Sequence, residues 1–272
     1  MQRTIMICNQ KGGVGKTTTT LEMAGLLTKK GYNVLTIDTD SQMNLTMYSD
    51  VYTDGVKTIR DMLIAASEGD IGNPSEYICH AEEGYDIIIG DSHLAKAAVD
   101  FGKLTDMCLM QDVIESLDTY DYILIDCAPG RNEVMYMSYL AADYCIIISE
   151  SDNGSLKGIN EIHKDISLLK KKNLSNISIL GLLLTKDEST KEQMAAYQKM
   201  VNIGAEINAM PFETTIWKSI AATESKNKCI TISKYYEQGN KEEKKKSKAI
   251  KEAYEDFIEE VEERIRIFEG VE

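Results

Sequence analysis

Ten residues near the start of the chain, 9–18, read NQKGGVGKTT and give the first indication of the fold. Phosphate-binding loops of the pattern G-x-x-x-x-G-K-[ST] end as this stretch does, in Gly15, Lys16 and Thr17. The first position of the pattern is then residue 10, where Gln10 replaces glycine, so the loop is a variant. Its glycines still allow backbone N–H groups to approach an anion, and the lysine adds a positive charge. The stretch therefore predicts a site for nucleotide phosphates.

The segments on either side of the loop support this prediction. Residues 3–9, RTIMICN, have the composition of a buried strand, and residues 16–30 have the spacing of a helix that Gly31 ends. A strand, a glycine loop and a helix N-terminus in this order form an anion site. The hydroxyl of Thr17 is suited to Mg²⁺. A chance glycine-rich turn is the alternative, and four features in the right order argue against it.

Length and charge limit the classes of protein that the chain can represent. The 272 residues include 3 prolines and contain no linker, so a single domain over residues 1–272 is expected. The 30 basic and 44 acidic residues give a formal charge of −14. That charge argues against a surface that binds nucleic acid everywhere, while a local basic patch, such as the lysine-rich run 241–248, remains open.

The cysteines and the hydropathy pattern indicate a cytoplasmic protein. The six cysteines form no C-x-x-C pair, so we expect buried, reduced thiols in place of a disulfide framework or a zinc site. The apolar run before Asn9 is only a few residues long, and no other segment approaches about 18 apolar residues. We therefore expect a soluble cytoplasmic protein without a membrane span.

Continuous apolar runs, rich in Ile, Leu and Val, recur along the chain and are typical of a parallel sheet covered on both faces. Most of them are separated by stretches with helical spacing, so the predicted class is α/β, doubly wound, with a mostly parallel sheet and helices on both faces. Ligands bind such sheets at the carboxyl ends of the strands. The six runs are residues 3–9, 32–38, 85–90, 120–126, 143–149 and 177–185.

Acidic residues follow two of these runs, at the edge of the sheet where the ligand is expected. Asp126 ends the run YILID and matches the acid of a Walker B strand, which holds the Mg²⁺ shell. Asp38 ends the second run, and we group it with Thr17 and Asp126 as a predicted metal ligand. Asp40 is predicted to position a water in line with the γ-phosphate. Each acid could alternatively only cap the helix that follows its strand.

Three motifs together resemble the deviant Walker A ATPases, specifically the ParA branch of the ParA/MinD superfamily. They are KGGVGKTTTT at 11–20, VLTIDTDSQMN at 34–44 and YDYILIDCAPG at 120–130. The likeness covers nearly the whole chain, since it continues in residues 84–97, 177–186 and 208–230. The resemblance implies a P-loop fold, ATP and Mg²⁺ as cofactors, and slow hydrolysis of ATP to ADP and phosphate.

The resemblance also assigns roles to single residues. Lys11 is implied to be the signature lysine, which reaches the ATP held by the other subunit of a homodimer, and Lys16 to be the ordinary loop lysine. Asp40 completes the predicted catalytic set by positioning the attacking water, and Asp126 is implied to be the Walker B acid. The nucleotide-binding residues implied in this way are Gly12, Gly13, Val14, Gly15, Lys16, Thr17, Thr18 and, next to adenine, Pro211.

Three features depart from the family pattern. Ser41 stands where a proline often follows the second acid, and it leaves the segment less rigid. Cys127 and Ala128 precede Pro129 where two prolines often follow the Walker B acid. The sequence TKDE at 185–188 is similar to the guanine-reading T-K-x-D, but Glu188 takes the place of its aspartate, so adenine is favoured.

The resemblance implies partners as well. ParA-like relatives bind DNA non-specifically as ATP dimers and are reset by a ParB-like protein, which implies plasmid or chromosome partition and association with the nucleoid. A solvated turn into the last helix is the alternative for the lysines at 241–251. The lysines that could contact DNA are those at 170, 171, 172, 218, 226, 228, 241, 244, 245, 246, 248 and 251.

Two other classes of protein remain open. A MinD-like ATPase would use the same switch on a membrane or a protein scaffold without DNA. Residues 249–270 have an apolar stripe, but their opposite face is mostly acidic, so we expect a helix over 245–268 packed on the domain or a partner, without membrane contact. An electron-transfer ATPase similar to the nitrogenase iron protein would need an iron–sulfur cluster between subunits, and Cys127 is better suited to packing.

Overall fold

One eight-stranded sheet forms the centre of the protein. The computed structural model describes residues 1–270. The strands are β1 (Arg3–Cys8), β2 (Val34–Asp38), β3 (Ile78–His80), β4 (Asp86–Ile88), β5 (Tyr122–Asp126), β6 (Tyr144–Ser149), β7 (Ser178–Asp187) and β8 (Ile216–Trp217). Their order in the sheet is β3-β4-β2-β5-β1-β6-β7-β8. Neighbouring strands are parallel except that β3 runs antiparallel to β4.

Helices connect the strands and cover both faces of the sheet, which confirms the predicted doubly wound α/β class. They are α1 (Lys16–Lys29), α2 (Asn44–Tyr48), α3 (Ile59–Glu68), α4 (Ala97–Asp100), α5 (Leu109–Glu115), α6 (Glu133–Ala141), α7 (Asn153–Lys171), α8 (Lys191–Ile207), α9 (Ala221–Asn227), α10 (Ile232–Gln238) and α11 (Lys241–Glu269). The single-domain prediction stays a prediction, and its last residues, 271 and 272, lie outside the described residues.

The buried core consists of two layers, one on each side of the sheet. Along β1, Met6 and Cys8 belong to one layer, whereas Ile5 and Ile7 belong to the other, as the two-residue period of a strand requires. All four side chains are fully buried. A central strand buried on both faces must be apolar at every position, which is why the sequence of β1 shows a continuous apolar run.

All six predicted strands are present, with small differences in their ends. The run 85–90 is paired only over Asp86–Ile88, and the last run extends to Asp187. The sequence pattern does not predict β3 or β8. These strands have three and two residues and lie in no longer apolar run, whereas β4, which also has three residues, lies within the run 85–90.

The C-terminal helix contacts several other elements of the described chain. Helix α11 contacts α1, β7 and β8. The side chain of Phe257 is fully buried, and its ring meets that of Phe212 edge to face, with 4.9 Å between centroids. Phe268, the last residue of the stripe, differs because it is 50% exposed. Nearly all of the apolar face of α11 is therefore already covered by the chain itself.

Candidate nucleotide-binding site

A cleft of about 760 Å³ lies at the carboxyl ends of the central strands. Its floor is the glycine loop and the first turn of α1, and its far wall comes from residues 216–226. The first half of α11 contributes Ile250 and Tyr254. This is the edge of the sheet at which the sequence predicts the ligand, and the cleft is large enough for a nucleotide.

The glycine loop has the backbone geometry of an anion cradle. Gly13 and Gly15 have φ angles of 79° and 102°, a left-handed region that favours glycine. Val14 is fully buried, and its carbonyl oxygen accepts a hydrogen bond of 2.7 Å from the hydroxyl of Thr185. Any contact between Val14 and a nucleotide would therefore involve its backbone. The predicted loop residues Gly12, Gly13, Gly15, Lys16, Thr17 and Thr18 all line the cleft.

The two residues that open α1 face the predicted phosphate position. The ammonium of Lys16 donates to the carbonyl oxygen of Lys11 at 3.1 Å, so the lysine lies folded over its own loop. The hydroxyl of Thr17 donates to Asp126 Oδ2 at 2.7 Å. Thr17 and Asp126 are thus already in contact, as shared ligands of one cation would be.

Two buried carboxylates lie side by side beneath the loop. Asp38 and Asp126 are paired in register on β2 and β5. Burial, and next the charge of Asp38, raise the pKa of Asp126 to about 8. Burial likewise raises the pKa of Asp38 to about 6, against hydrogen bonds from the backbone and hydroxyl of Thr46 and the backbone of Asp40. A divalent cation would compensate this buried negative charge, so hard oxygen donors fit Mg²⁺ here.

The metal roles of the two acids stay predictions, but their surroundings differ. Asp126 contacts Thr17 at the mouth of the cleft, whereas both carboxylate oxygens of Asp38 accept hydrogen bonds from the segment after β2. Asp38 therefore holds that segment in place in this structure. Asp126 and Thr17 are the better placed of the predicted metal ligands.

Asp40 lies between the cleft and a second cavity of about 240 Å³. Its carboxylate accepts a hydrogen bond of 2.9 Å from the backbone N–H of Gln42, and Pro129 lines both cavities. The turn that carries Asp40 ends at Met43, which has a φ angle of 53°. A carboxylate held in this way can receive a proton or orient a water beside the phosphates.

Lys11 points away from the cleft that its own loop forms. Its ammonium is 2.9 Å from Glu150 Oε2 and 2.7 Å from Asp152 Oδ2, and its side chain is 36% exposed. The hydrogen bond with Asp152 is the main reason that the pKa of Lys11 is raised. Burial alone would raise the pKa of Asp152, but hydrogen bonds from Lys11 and Ser155 together lower it. Lys11 is thus held by its own chain, beside the site and outside it.

The carboxylate of Glu150 contacts a second lysine, Lys186, in addition to Lys11. Its other oxygen, Oε1, is 2.6 Å from the ammonium of Lys186, which also donates to the carbonyl oxygen of Gly13 at 2.6 Å. No motif in the sequence singles out Glu150 or Asp152 as a site residue. Both follow β6 at the ligand edge of the sheet, and that position is the signal that could have found them.

The adenine contact predicted for Pro211 stays a prediction, and the position of this residue gives it no support. Pro211 is buried, pairs with Leu182 of β7, and its carbonyl oxygen accepts a hydrogen bond from Arg264. It does not line the cleft. The wall that faces the loop comes several residues later, where the chain leaves β8 with Trp217 and Ile220. The chain must first complete the pairing with β7 before it can reach the ligand.

Sequence comparison identifies the family of the chain. A family model described as an AAA domain matches residues 2–179. The chromosome partitioning protein ParA of Caulobacter vibrioides is 29% identical over 202 residues, which are 71% of this chain and 74% of that protein.

Solved structures share the fold over most of its length. The Cyanothece McdA(D38A)–ATP complex has a TM-score of 0.76 at 23% identity, covering 93% of this chain and 96% of that one. The septum site-determining protein MinD of Pyrococcus horikoshii OT3, complexed with Mg-ADP, has a TM-score of 0.69 at 25% identity, covering 94% and 96%. Fold, loop and acids together define a P-loop nucleotide hydrolase.

The chain belongs to the ParA/MinD superfamily of P-loop ATPases. ATP and Mg²⁺ are accordingly the cofactors of this site. The glycine cradle, the lysine at its end and the pair of Thr17 and Asp126 fit both of them. Homologues in this superfamily form dimers. No helix within residues 1–270 is long and apolar enough to cross a membrane.

Proposed function

We propose that this protein is a ParA-like ATPase switch, which dimerises around Mg-ATP, binds DNA non-specifically and is reset by slow hydrolysis during plasmid or chromosome partition. The observation that carries the proposal is the position of Lys11. Its ammonium lies next to the loop, does not line the cleft of its own chain, and is held by two carboxylates that an ATP phosphate can replace. A lysine so placed can serve the site of a second copy.

Electrostatics couples the nucleotide to the dimer in this proposal. The triphosphate of one subunit supplies a denser negative charge than the two partly exposed carboxylates that hold Lys11 in the single chain. Moving Lys11 from its own carboxylates to the site of the partner therefore lowers the free energy only when that site contains ATP. Loss of the γ-phosphate removes much of that charge, and the ion pair with Glu150 and Asp152 forms again.

The remaining residues have separate tasks in hydrolysis. Lys16 neutralises charge on the β- and γ-phosphates, and Asp40 orients the attacking water. Thr17 and Asp126 would hold Mg²⁺, which spreads the charge of the phosphate oxygens when bound. Nothing in this set acts as a nucleophile, and catalysis rests on position and charge.

Dimerisation of Lys11→Ala tests the central step. We expect the variant to bind a non-hydrolysable ATP analogue with nearly normal affinity but to remain a monomer, because its own cleft is intact while the contribution to the partner is lost. Light scattering coupled to size-exclusion chromatography, with and without Mg-nucleotide, measures whether the protein is a monomer or a dimer. Lys57→Ala removes an exposed lysine paired with Glu76, far from the loop, and serves as the matched control. ATP-dependent dimers of Lys11→Ala would contradict the proposal.

The DNA step is supported by a limited set of lysines. Five of the candidates pair with carboxylates of the chain, namely Lys218, Lys228, Lys246, Lys248 and Lys251. Within residues 1–270, no carboxylate oxygen lies within 4.0 Å of the lysines at 170–172, 241, 244 and 245. These six can contact phosphates without giving up an ion pair, so we propose a weak and strongly salt-dependent contact.

A MinD-like switch on a protein scaffold, without DNA, is the second candidate. The charge of −14 and the five internally paired lysines favour it. DNA binding titrated with ATP, ADP and salt separates the two proposals. DNA binding that requires ATP and disappears with salt supports partition. A ParB-like protein would then be sought as the stimulating partner. Absence of DNA binding even at low salt supports the switch on a protein scaffold.

A further inference from the structure

Four lysines line the nucleotide cleft, and three of them have an oxygen acceptor within the chain. The three pairs are Lys16 with the carbonyl of Lys11, Lys186 with Glu150 and the carbonyl of Gly13, and Lys218 with Glu188. Lys226 is the fourth. Within residues 1–270, no carboxylate oxygen lies within 4.0 Å of its ammonium, and the ammonium donates no hydrogen bond to the chain.

The surroundings of Lys226 are unfavourable for an unpaired cation. Its ammonium lies 5.6 Å from the ring centroid of Tyr48, which also lines the cleft. Burial, and then the charge of Lys186, lower the pKa of Lys226. The carbonyl groups at the end of α9 supply only a partial negative charge. A partly buried ammonium that has an aromatic face but no anion is incompletely compensated.

ATP, the ligand of the cleft, would supply a phosphate as the anion that Lys226 lacks in the chain. We propose that Lys226 is a further nucleotide-binding residue, which pairs with a phosphate of ATP from the wall opposite the glycine loop. The inference rests on Mg-ATP as the ligand and is independent of cargo and DNA. It assigns to α9 a direct contact with the charged part of the nucleotide, whereas the sequence analysis considers Lys226 only as one of many lysines that could meet DNA.

The position of Tyr48 gives this contact a consequence. Tyr48 is the last residue of α2, the helix that follows the turn carrying Asp40. When Lys226 turns toward a phosphate, it gives up part of its contact with Tyr48. Nucleotide binding is thereby connected to the segment that holds the predicted water-positioning acid.

The chain contains its own reporter for the test. Trp217 is the single tryptophan, lines the same cleft and is 39% exposed. Its fluorescence can follow titrations of the full chain with a Mg-bound non-hydrolysable ATP analogue, with ADP, and with adenosine. Adenosine has the base and sugar but no phosphate, so the ratio of the ATP-analogue affinity to the adenosine affinity isolates contacts to phosphate.

Lys226→Met is the informative variant. We expect about ten-fold weaker binding of the ATP analogue or more, with adenosine affinity within two-fold of the wild type, because one charge-assisted contact to phosphate is lost. Lys226→Arg keeps the cation and should restore most of the affinity. Lys228→Met is the matched control, since Lys228 caps the same helix, pairs with Glu243 and lies outside the cleft. It should bind both ligands normally.

Two results would overturn the inference. One is a Lys226→Met protein whose affinity ratio is unchanged, and the other is an equal loss for adenosine and the ATP analogue, which would mean that Lys226 only supports the wall through Tyr48. Circular dichroism establishes that each variant is folded, and Lys226→Gln replaces the methionine variant if that one is not. Failure of the wild type itself to bind the analogue would instead refute Mg-ATP as the ligand.

Discussion

The arrangement of charge around Lys11 is the most informative feature at the scale of single residues. Glu150 is shared between Lys11 and Lys186, while Asp152 binds Lys11 and also caps α7 by accepting from the backbone of Gly154 and Ser155. The same two carboxylates thus hold the lysine and compete with the nucleotide of a partner. The strength of the two ion pairs sets how readily the side chain of Lys11 leaves its own chain for the site of a partner.

Weakening this ion pair should favour the dimer. Asp152→Asn keeps an oxygen that can cap α7 but removes the charge that holds Lys11. We expect the dissociation constant of the ATP-bound dimer to fall by about two- to five-fold, the range of a partly exposed ion pair. Analytical ultracentrifugation in the presence of an ATP analogue measures it, and Glu76→Gln, at a remote surface ion pair, is the control. A weaker dimer would mean that Asp152 itself contacts the partner.

Removing the carboxylate of Asp40 should separate binding from hydrolysis. We expect Asp40→Ala to lower the rate of ATP hydrolysis by about 100-fold, since the attacking water is no longer oriented. The dimer should persist, because the residues that hold the nucleotide and Lys11 are untouched. Phosphate release and light scattering measure the two effects. A variant that hydrolyses ATP at the normal rate would remove Asp40 from the proposed mechanism.

At the scale of elements, the buried Glu22 of α1 controls how α10 is attached. Its carboxylate accepts hydrogen bonds from the backbone of Ile232 and Ser233, at the start of α10. Burial nevertheless raises the pKa of Glu22 from 4.5 to about 8. The folded protein therefore binds this proton more tightly than the unfolded chain does.

Stability should consequently depend on pH through Glu22. Because its pKa is higher in the folded state, the contribution of Glu22 to the free energy of unfolding decreases as the pH rises from about 4.5 to about 8. Glu22→Gln cannot ionise, and we expect it to remove roughly 1–3 kcal/mol of this decrease. Urea denaturation of both proteins at pH 5 and pH 8 measures the difference. Equal pH dependence in the two proteins would show that Glu22 is already ionised in the folded state.

Helix α11 should contribute strongly to stability through its buried stripe. Phe257→Ala removes a fully buried ring from its contact with Phe212, and we expect the free energy of unfolding to fall by about 3–5 kcal/mol. Phe268→Ala, on the same stripe but 50% exposed, is the matched control and should cost clearly less. Denaturant titrations measure both. If both variants lowered the free energy of unfolding by a similar small amount, α11 would be only loosely attached and free to bind elsewhere.

At the scale of the whole molecule, the negative charge opposes DNA and only local basic groups can overcome it. The three lysines at 170–172 lie at the end of α7, and those at 241, 244 and 245 lie in the first turns of α11. The whole chain, with these six lysines included, carries a formal charge of −14. Any DNA affinity must therefore be a balance between these groups and long-range repulsion.

Salt dependence measures this balance. Changing the lysines at 170–172 to glutamine should lower the slope of log affinity against log salt by about 2–3, if each lysine contacts a phosphate. Fluorescence anisotropy of duplex DNA of random sequence, with the ATP-bound protein, gives the slope. Glutamine in place of Lys29 and Lys57, which form ion pairs on the surface, is the control. An unchanged slope would exclude α7 as the DNA contact.

Much of the fold follows from the sequence because parallel strands buried on both faces must be apolar throughout. All six predicted strands lie in apolar runs of this kind, whereas β3 and β8 lie in none, and the C-terminal helix is indicated by its own apolar stripe. The glycine loop is equally local, since its φ angles depend on Gly13 and Gly15 themselves. The surroundings of Pro211 could not be predicted in this way, because its partner Leu182 is 29 residues away and no local pattern encodes that pairing.

The stretch NQKGGVGKTT by itself determined that the protein binds nucleotide phosphates, because a strand, a glycine loop and a helix start are contiguous in the chain. Only the tertiary structure decided which groups surround it. Lys11 meets carboxylates about 140 residues away, and Lys226 enters the cleft without an anion. The physical reason is that backbone geometry is set by neighbouring residues, whereas charge compensation is set by whichever side chains the folded sheet brings to the same edge.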